Sequence, residues 1–181
     1  MKSMHKAALT VLAISGMSYM MINNAFASVS GSIDFTASGS VISNPCQVSV
    51  TPTVEFSSLN PANLHVSSTY PSDPQEITIN ISSCPANTKL NASIVGTADG
   101  RDSRIMALSS TPESAKNVGI GFWLTDKTQL PVTTGVTPDS TTDASGTAQI
   151  NIMTALALES STMQPTSGDI EGSANIKINY L

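Results

Sequence analysis

Aromatic residues make up only 4% of this chain and charged residues only 12%, with two histidines and two cysteines among 181 positions. Each shortage removes a class of function. Beyond His5 the one imidazole is His65, in an Asn-Leu-His-Val-Ser context, too little for a Ser-His-Asp or Cys-His arrangement. Arg101 and Arg104 stand alone among polar residues, so there is no basic cluster to neutralise nucleic-acid phosphates. No glycine-rich loop joins a strand to a helix, because Gly119 and Gly121 sit inside an alternating apolar segment. Asp99, Asp102, Asp139 and Asp143 lie near turns, where carboxylates cap backbone amides or face water, and a calcium site built from them is the weaker reading. The chain is not expected to be an enzyme, nor to hold a cofactor, a metal or nucleic acid.

Long hydrophobic runs are also missing, with one exception. Ala7 to Ile22 is apolar save for small polar residues, follows Lys2 and Lys6, and is followed by Ala25-Phe26-Ala27. A basic start, a short apolar run and a small-x-small triplet are the parts of a secretory signal peptide. The run of about 16 residues is short for a membrane span, so residues 1–27 are expected to be cleaved before Ser28. That leaves 154 exported residues, with six of the eight basic residues against 13 acidic ones, a formal charge of −7. This length suits one domain with one core. In an oxidising compartment Cys46 and Cys84 are expected to form a disulfide rather than a metal pair or a reactive thiol. Their 38-position loop corresponds to roughly 4 kcal/mol in the chain-entropy account.

What the chain has in quantity is alternation. From Val29 to Val41 the odd positions read Val29, Gly31, Ile33, Phe35, Ala37, Gly39 and Val41, and every even position is polar. Successive strand side chains point to opposite faces, so this segment reads as one long amphipathic strand. Further strands are expected at 47–51, 53–56, 76–82, 89–96, 117–125, 148–158 and 174–180, separated by turn signals such as Asn60-Pro61, Asp99-Gly100 and Ser145-Gly146. In the segment 117–125, Val118, Ile120, Phe122 and Leu124 share one face, with Gly119, Gly121 and Trp123 on the other. No helix-length amphipathic segment appears. Seven or more short strands at this spacing predict an all-β, immunoglobulin-like sandwich.

The C-terminus mirrors the opening: Ala174, Ile176, Ile178 and Tyr180 alternate with Asn175, Lys177 and Asn179. Both ends are therefore amphipathic strands that invite pairing, either with each other or, as sheet edges, with another chain.

Four features together resemble the chaperone–usher fimbrial subunits of the type 1 and P pilus kind. They are the run Gly39-Ser40-Val41 leading to Cys46, the second cysteine at Cys84, the Asn117-Val118-Gly119-Ile120 strand, and Gly168 fourteenth from the end with Tyr180 penultimate. In two respects the chain departs from that family: Ala155 stands where an aromatic is common, and the segment from Ser57 to Gln75 matches none of its pattern. The resemblance implies an immunoglobulin-like sandwich that lacks its last strand and is completed by a neighbouring subunit. Residues 28–44 would be the donor extension and 45–181 the domain. Ile33, Phe35, Ala37, Gly39 and Val41 would be the donated residues, with Gly39 allowing close backbone approach. Gly168, Ala174, Ile176, Ile178, Tyr180 and Leu181 would form the strand that lines the acceptor groove and meets the chaperone.

The resemblance also implies the partners and the place. A periplasmic chaperone would lend a strand and hold the Leu181 carboxylate, an outer-membrane usher would receive the complex, and the product would be an extracellular cell-surface fimbrium. Amidating or extending the C-terminus is expected to abolish export. The alternative is a one-domain fimbrial adhesin that itself binds a host ligand, with Trp123 or the loop from Asn60 to Pro74 contributing. Periodicity alone does not distinguish a strand donated to a neighbour from one folded back on its own domain.

Overall fold

Alternation between wet and apolar positions is realised as nine strands in two sheets in the computed structural model, which describes residues 29–38, 46–51, 53–59 and 63–181. The expected leader, Gly39 and Val41 lie outside the described residues. The strands are β1 (Val29–Ser38), β2 (Gln47–Val50), β3 (Thr53–Leu59), β4 (Gln75–Ser82), β5 (Lys89–Val95), β6 (Val118–Leu124), β7 (Ser140–Thr141), β8 (Ala148–Leu158) and β9 (Ile170–Tyr180). One sheet has the order β3-β1-β9-β5-β7 and the other β2-β4-β8-β6. Both present alternate residues inward. In β4 these are Ile77, Ile79 and Ile81, and in β9 they are Ile170, Ala174, Ile176 and Ile178, all buried. The result is the two-sheet sandwich that the strand rhythm predicts.

Several strands run longer than their alternation suggested. β3 continues to Leu59 and β9 begins at Ile170. In β9 the extra length is carried by Gly172, which gives the inward pattern no apolar side chain to announce it, yet packs there as a buried position.

β6 is buried on both faces. Its Val118, Ile120 and Phe122 enter the main core, while Trp123 joins Ile105, Ala155 and Ala157 in a second cluster on the far side of the sheet. The indole lies back over Gly121, where a Cβ would collide with the ring. Trp123 and Ala155 thus share one layer: the aromatic volume absent at Ala155 comes from the adjacent strand. Nor is β6 an open edge, because Met106 exchanges both backbone hydrogen bonds with Ile120, at 2.8 and 2.9 Å, closing the row of groups that an edge leaves free.

Two covalent or charged ties fix the loops. Cys46 and Cys84 form the disulfide, with Cα atoms 4.5 Å apart. Beside it Gly146 has φ +76°, a left-handed conformation, and packs against the Cys84 carbonyl where a side chain would not fit. Asp102, buried, accepts hydrogen bonds from Arg104 Nε and Nη2 at 2.8 and 2.9 Å and from the Ser67 hydroxyl, linking the loop before β6 to the loop before β4.

Candidate functional site

β1 is the strand on which the functional reading turns, and the structure places it between β3 and β9 of its own chain. The two amphipathic ends therefore pair with each other. They run parallel, with Gly31 opposite Ile170, Ile33 opposite Gly172, Phe35 opposite Ala174 and Ala37 opposite Ile176. On its other side β1 is antiparallel to β3, with Ile33 opposite Val54 and Gly31 opposite Phe56. Neither β1 nor β9 is an edge here, which differs from the expectation that Ala174, Ile176, Ile178 and Tyr180 sit on an edge strand. The reason is geometric: β1 occupies the space next to β9 that would otherwise be open.

The seam is matched by volume. Along β1 the inward residues Ile33 and Phe35 are large, and the β9 residues opposite them, Gly172 and Ala174, are small. A slip of two positions would set Phe35 against Ile176, so packing as well as hydrogen bonding specifies the register. Ile33 is fully buried, and Phe35 meets Phe122 edge-on, ring centres 6.1 Å apart at 75°, a favoured aromatic geometry. On the wet face Thr53 donates a hydrogen bond from Oγ1 to Asp34 at 3.1 Å.

Val54 and Phe56 form the second wall of the seam, a role that the sequence did not announce, although the alternation at 53–56 marked them as strand. Gly168 lies away from the seam, at the entry to β9. A Cβ there would collide with the backbone of Glu113 to Ala115, whose groups exchange hydrogen bonds with Asp169 at 2.8 and 3.0 Å. Glycine is required by that close approach. At the other end Tyr180 is half-buried opposite Leu90, and Leu181 is 63% exposed with its amide donating to the Lys89 carbonyl at 3.0 Å.

The turn carboxylates each have a local structural duty. Asp99 accepts from the amides of Arg101 and Asp102, Asp139 from the Asn91 side chain, and Asp143 from the amides of Ser145 and Thr147 and from both hydroxyls. The Ser145 hydroxyl, then the amide and hydroxyl of Thr147, hold the Asp143 carboxyl well below the usual range. Burial by itself would raise Asp102, but the hydrogen bonds from Arg104 and Ser67 outweigh it and the carboxyl ends below its ordinary value. Trp123 is 1% exposed and edge-packed by Tyr70 at 6.2 Å, so the indole is not an open platform for a ligand.

Comparison with known proteins places this geometry. The family model described as Fimbrial protein matches residues 34–181. Among solved structures, the P pilus rod subunit PapA shares 14% identity, with 76% of this chain and 99% of that chain covered and a TM-score of 0.58. A chaperone–usher pilus, solved in a study of rod uncoiling, shares 16% identity over 81% and 93% of the two chains, TM-score 0.59. A Burkholderia pseudomallei antigen and type I fimbria protein shares 20% identity over 82% and 93%, TM-score 0.47. No curated protein sequence matches the chain.

Proposed function

This chain belongs to the fimbrial protein family, and from that premise we propose that it is a structural subunit of an adhesive surface fimbria, joined to its neighbours by exchange of the first strand. The observation that carries the reading is the seam itself. β1 fills a slot between β3 and β9 with large residues against small ones, and with the expected cleavage before Ser28 it would be held covalently at one end only.

Strand physics supports the exchange. Side chains alternate with a period of two, so β1 buries Ile33 and Phe35 on the same face whichever direction it runs. Burying those two side chains contributes about 3–6 kcal/mol, against a net stability of about 5–15 kcal/mol for a whole domain. A subunit with an empty slot would be poorly folded, and one filled from another molecule would be completed as well as one filled by itself. A strand arriving from a second copy is free of the connection through residues 39–45 and can run antiparallel to β9, the slightly more stable pairing. The arrangement of β1 in this structure is, on this reading, the self-filled form of the subunit.

Before assembly the slot needs a temporary strand, which is the role proposed for a periplasmic chaperone, with an outer-membrane usher receiving the complex. The exposure of Leu181 leaves its carboxylate accessible to basic residues of such a partner. An extended or amidated C-terminus is expected to block export.

The test is peptide exchange. The purified chain is incubated with a synthetic peptide of residues 28–44, and incorporation is followed by native mass spectrometry. Stable incorporation, absent when the peptide carries Ile33→Asp and Phe35→Asp, supports the reading. A chain that takes up no peptide even near its melting midpoint is a self-complete domain, and strand exchange is then wrong.

A further inference from the structure

The segment between β5 and β6 crosses from one sheet to the other, and Met106 stands at the crossing. Its amide and carbonyl pair with Ile120 of β6 at 2.8 and 2.9 Å, and further along the Ser109 amide donates to the Glu171 carbonyl of β9 at 2.7 Å. The Met106 side chain is 1% exposed and lies in a trough between two glycines. A Cβ on Gly96 would stand 2.9 Å from its sulfur, and one on Gly172 would stand 3.0 Å from its methyl carbon. An unbranched, flexible thioether suits so irregular a space.

Gly172 connects this trough to the β1 seam. It is the β9 residue opposite Ile33, and Ile33 and Met106 belong to the same core cluster. Glycine has no side chain with which to screen the thioether on the side of β1, so Ile33 supplies that cover. The other neighbours of the two glycines, Ile120, Ala107 and Val132, lie on β6 and the loops flanking it, and they stay in place if β1 leaves. The sulfur is sealed with β1 seated and open toward the slot with β1 withdrawn.

We propose that Met106 is an oxidation site gated by the first strand, protected while the slot is filled and converted to the sulfoxide by peroxide when the slot is empty. The reaction moves one oxygen atom. A sulfur lone pair attacks a peroxide oxygen, the O–O bond breaks as the S–O bond forms, and hydrogen peroxide leaves as water. The thioether is oxidised by two electrons and the peroxide is reduced by the same two. The product is polar where the thioether was apolar. Its oxygen would lie unpaired in an apolar trough that is already tight on both sides, which opposes the return of Ile33. The oxidised chain is therefore held open, while a subunit with a filled slot resists the same oxidant. Beyond the expected leader the chain has two other methionines, which serve as references: Met163 is 41% exposed, and Met153 is half-buried beside the Trp123 cluster. The inference needs only that β1 leaves its slot, so it stands whether or not a second copy takes its place.

Hydrogen peroxide kinetics on the purified chain test it, with each methionine followed by peptide mass spectrometry. Met163 is expected to oxidise first and Met106 about a hundredfold more slowly or less, because a buried group reacts only through opening. Ile33→Ala should speed Met106 about tenfold or more and leave Met163 unchanged. Ile79→Ala makes the same truncation on β4 and should speed Met106 far less. Ile33→Val and Ile79→Val give the comparison again if an alanine variant does not fold. Once the peroxide is removed, the oxidised parent should melt lower and exchange its β1 amides faster, and Met106→Leu treated alike should keep its midpoint. The proposal is overturned if Met106 reacts as fast as Met163, if the β1 and β4 variants accelerate it equally, or if treated Met106→Leu loses as much stability as the parent. Peptide uptake is a separate measurement: a chain that takes up no 28–44 peptide yet shows oxidation gated by β1 refutes strand exchange and leaves this site standing.

Discussion

Phe35 concentrates the argument in one side chain. It stands opposite Ala174, meets the edge of Phe122, and is 6% exposed. Phe35→Ala removes that packing and leaves a cavity, so it is expected to cost about 3–5 kcal/mol, whereas Ile33→Val should cost only about 0.5–1.5 kcal/mol. Urea denaturation of the two variants checks the order. Asp102 makes a different residue-scale prediction. Its folded carboxyl titrates below the ordinary 3.8, through Arg104 and Ser67 overcoming the opposing effect of burial. A depressed folded pKa contributes stability that is present above the unfolded value and lost as pH falls through the folded one. The melting midpoint of the wild type should therefore carry an Asp102 contribution at pH 7 that disappears as the pH falls below 3.8. Asp102→Asn should melt lower at pH 7 and show a shallower decline in that acid window. Equal slopes for the two proteins would show that the carboxylate does not contribute through its charge.

At the scale of elements, what was legible followed from repetition. β8 was readable to its ends, 148–158, because alternation there is bounded by turn residues on both sides, and the two faces of β6 were readable from Gly119, Gly121 and Trp123. Less could be read where a small residue stands in an apolar row, as at Gly172 in β9, or where Ser57 and Ser58 continue β3 without alternation. The partner of β1 was legible only as one of two alternatives, the other end of the chain or a neighbouring molecule. Period two states which face is buried, never which strand lies alongside or in which direction, and the parallel pairing with β9 is a property of the folded whole. The volume match along that pairing yields its own prediction. Ala174→Leu places bulk where Phe35 sits, and should loosen β1 while leaving β4, β6 and β8 packed. Hydrogen exchange read by strand would show this as lost protection confined to β1 and its two neighbours. Uniform loss across both sheets would mean that the seam is not a separable unit.

For the whole molecule, the disulfide and the first strand are coupled through chain connectivity. The 38-residue separation from Cys46 to Cys84 encloses β2, β3 and β4, while β1 lies outside the loop and joins it through residues 39–45, directly before Cys46. The bond thus anchors the root from which β1 reaches its slot. Closing a loop of this length stabilises by roughly 4 kcal/mol, and a domain of this size moves about 2–4 °C per kcal/mol, so the Cys46→Ala, Cys84→Ala protein should melt roughly 8–16 °C lower. Anchoring adds a second, kinetic consequence. With its root released, β1 should leave the slot more readily, and the variant should take up the 28–44 peptide faster than the parent when each is held the same interval below its own midpoint. That matched condition separates the two effects. A lower midpoint with unchanged uptake would assign the bond to stability alone; a lower midpoint with faster uptake would make the disulfide a determinant of when the first strand is released to a neighbour.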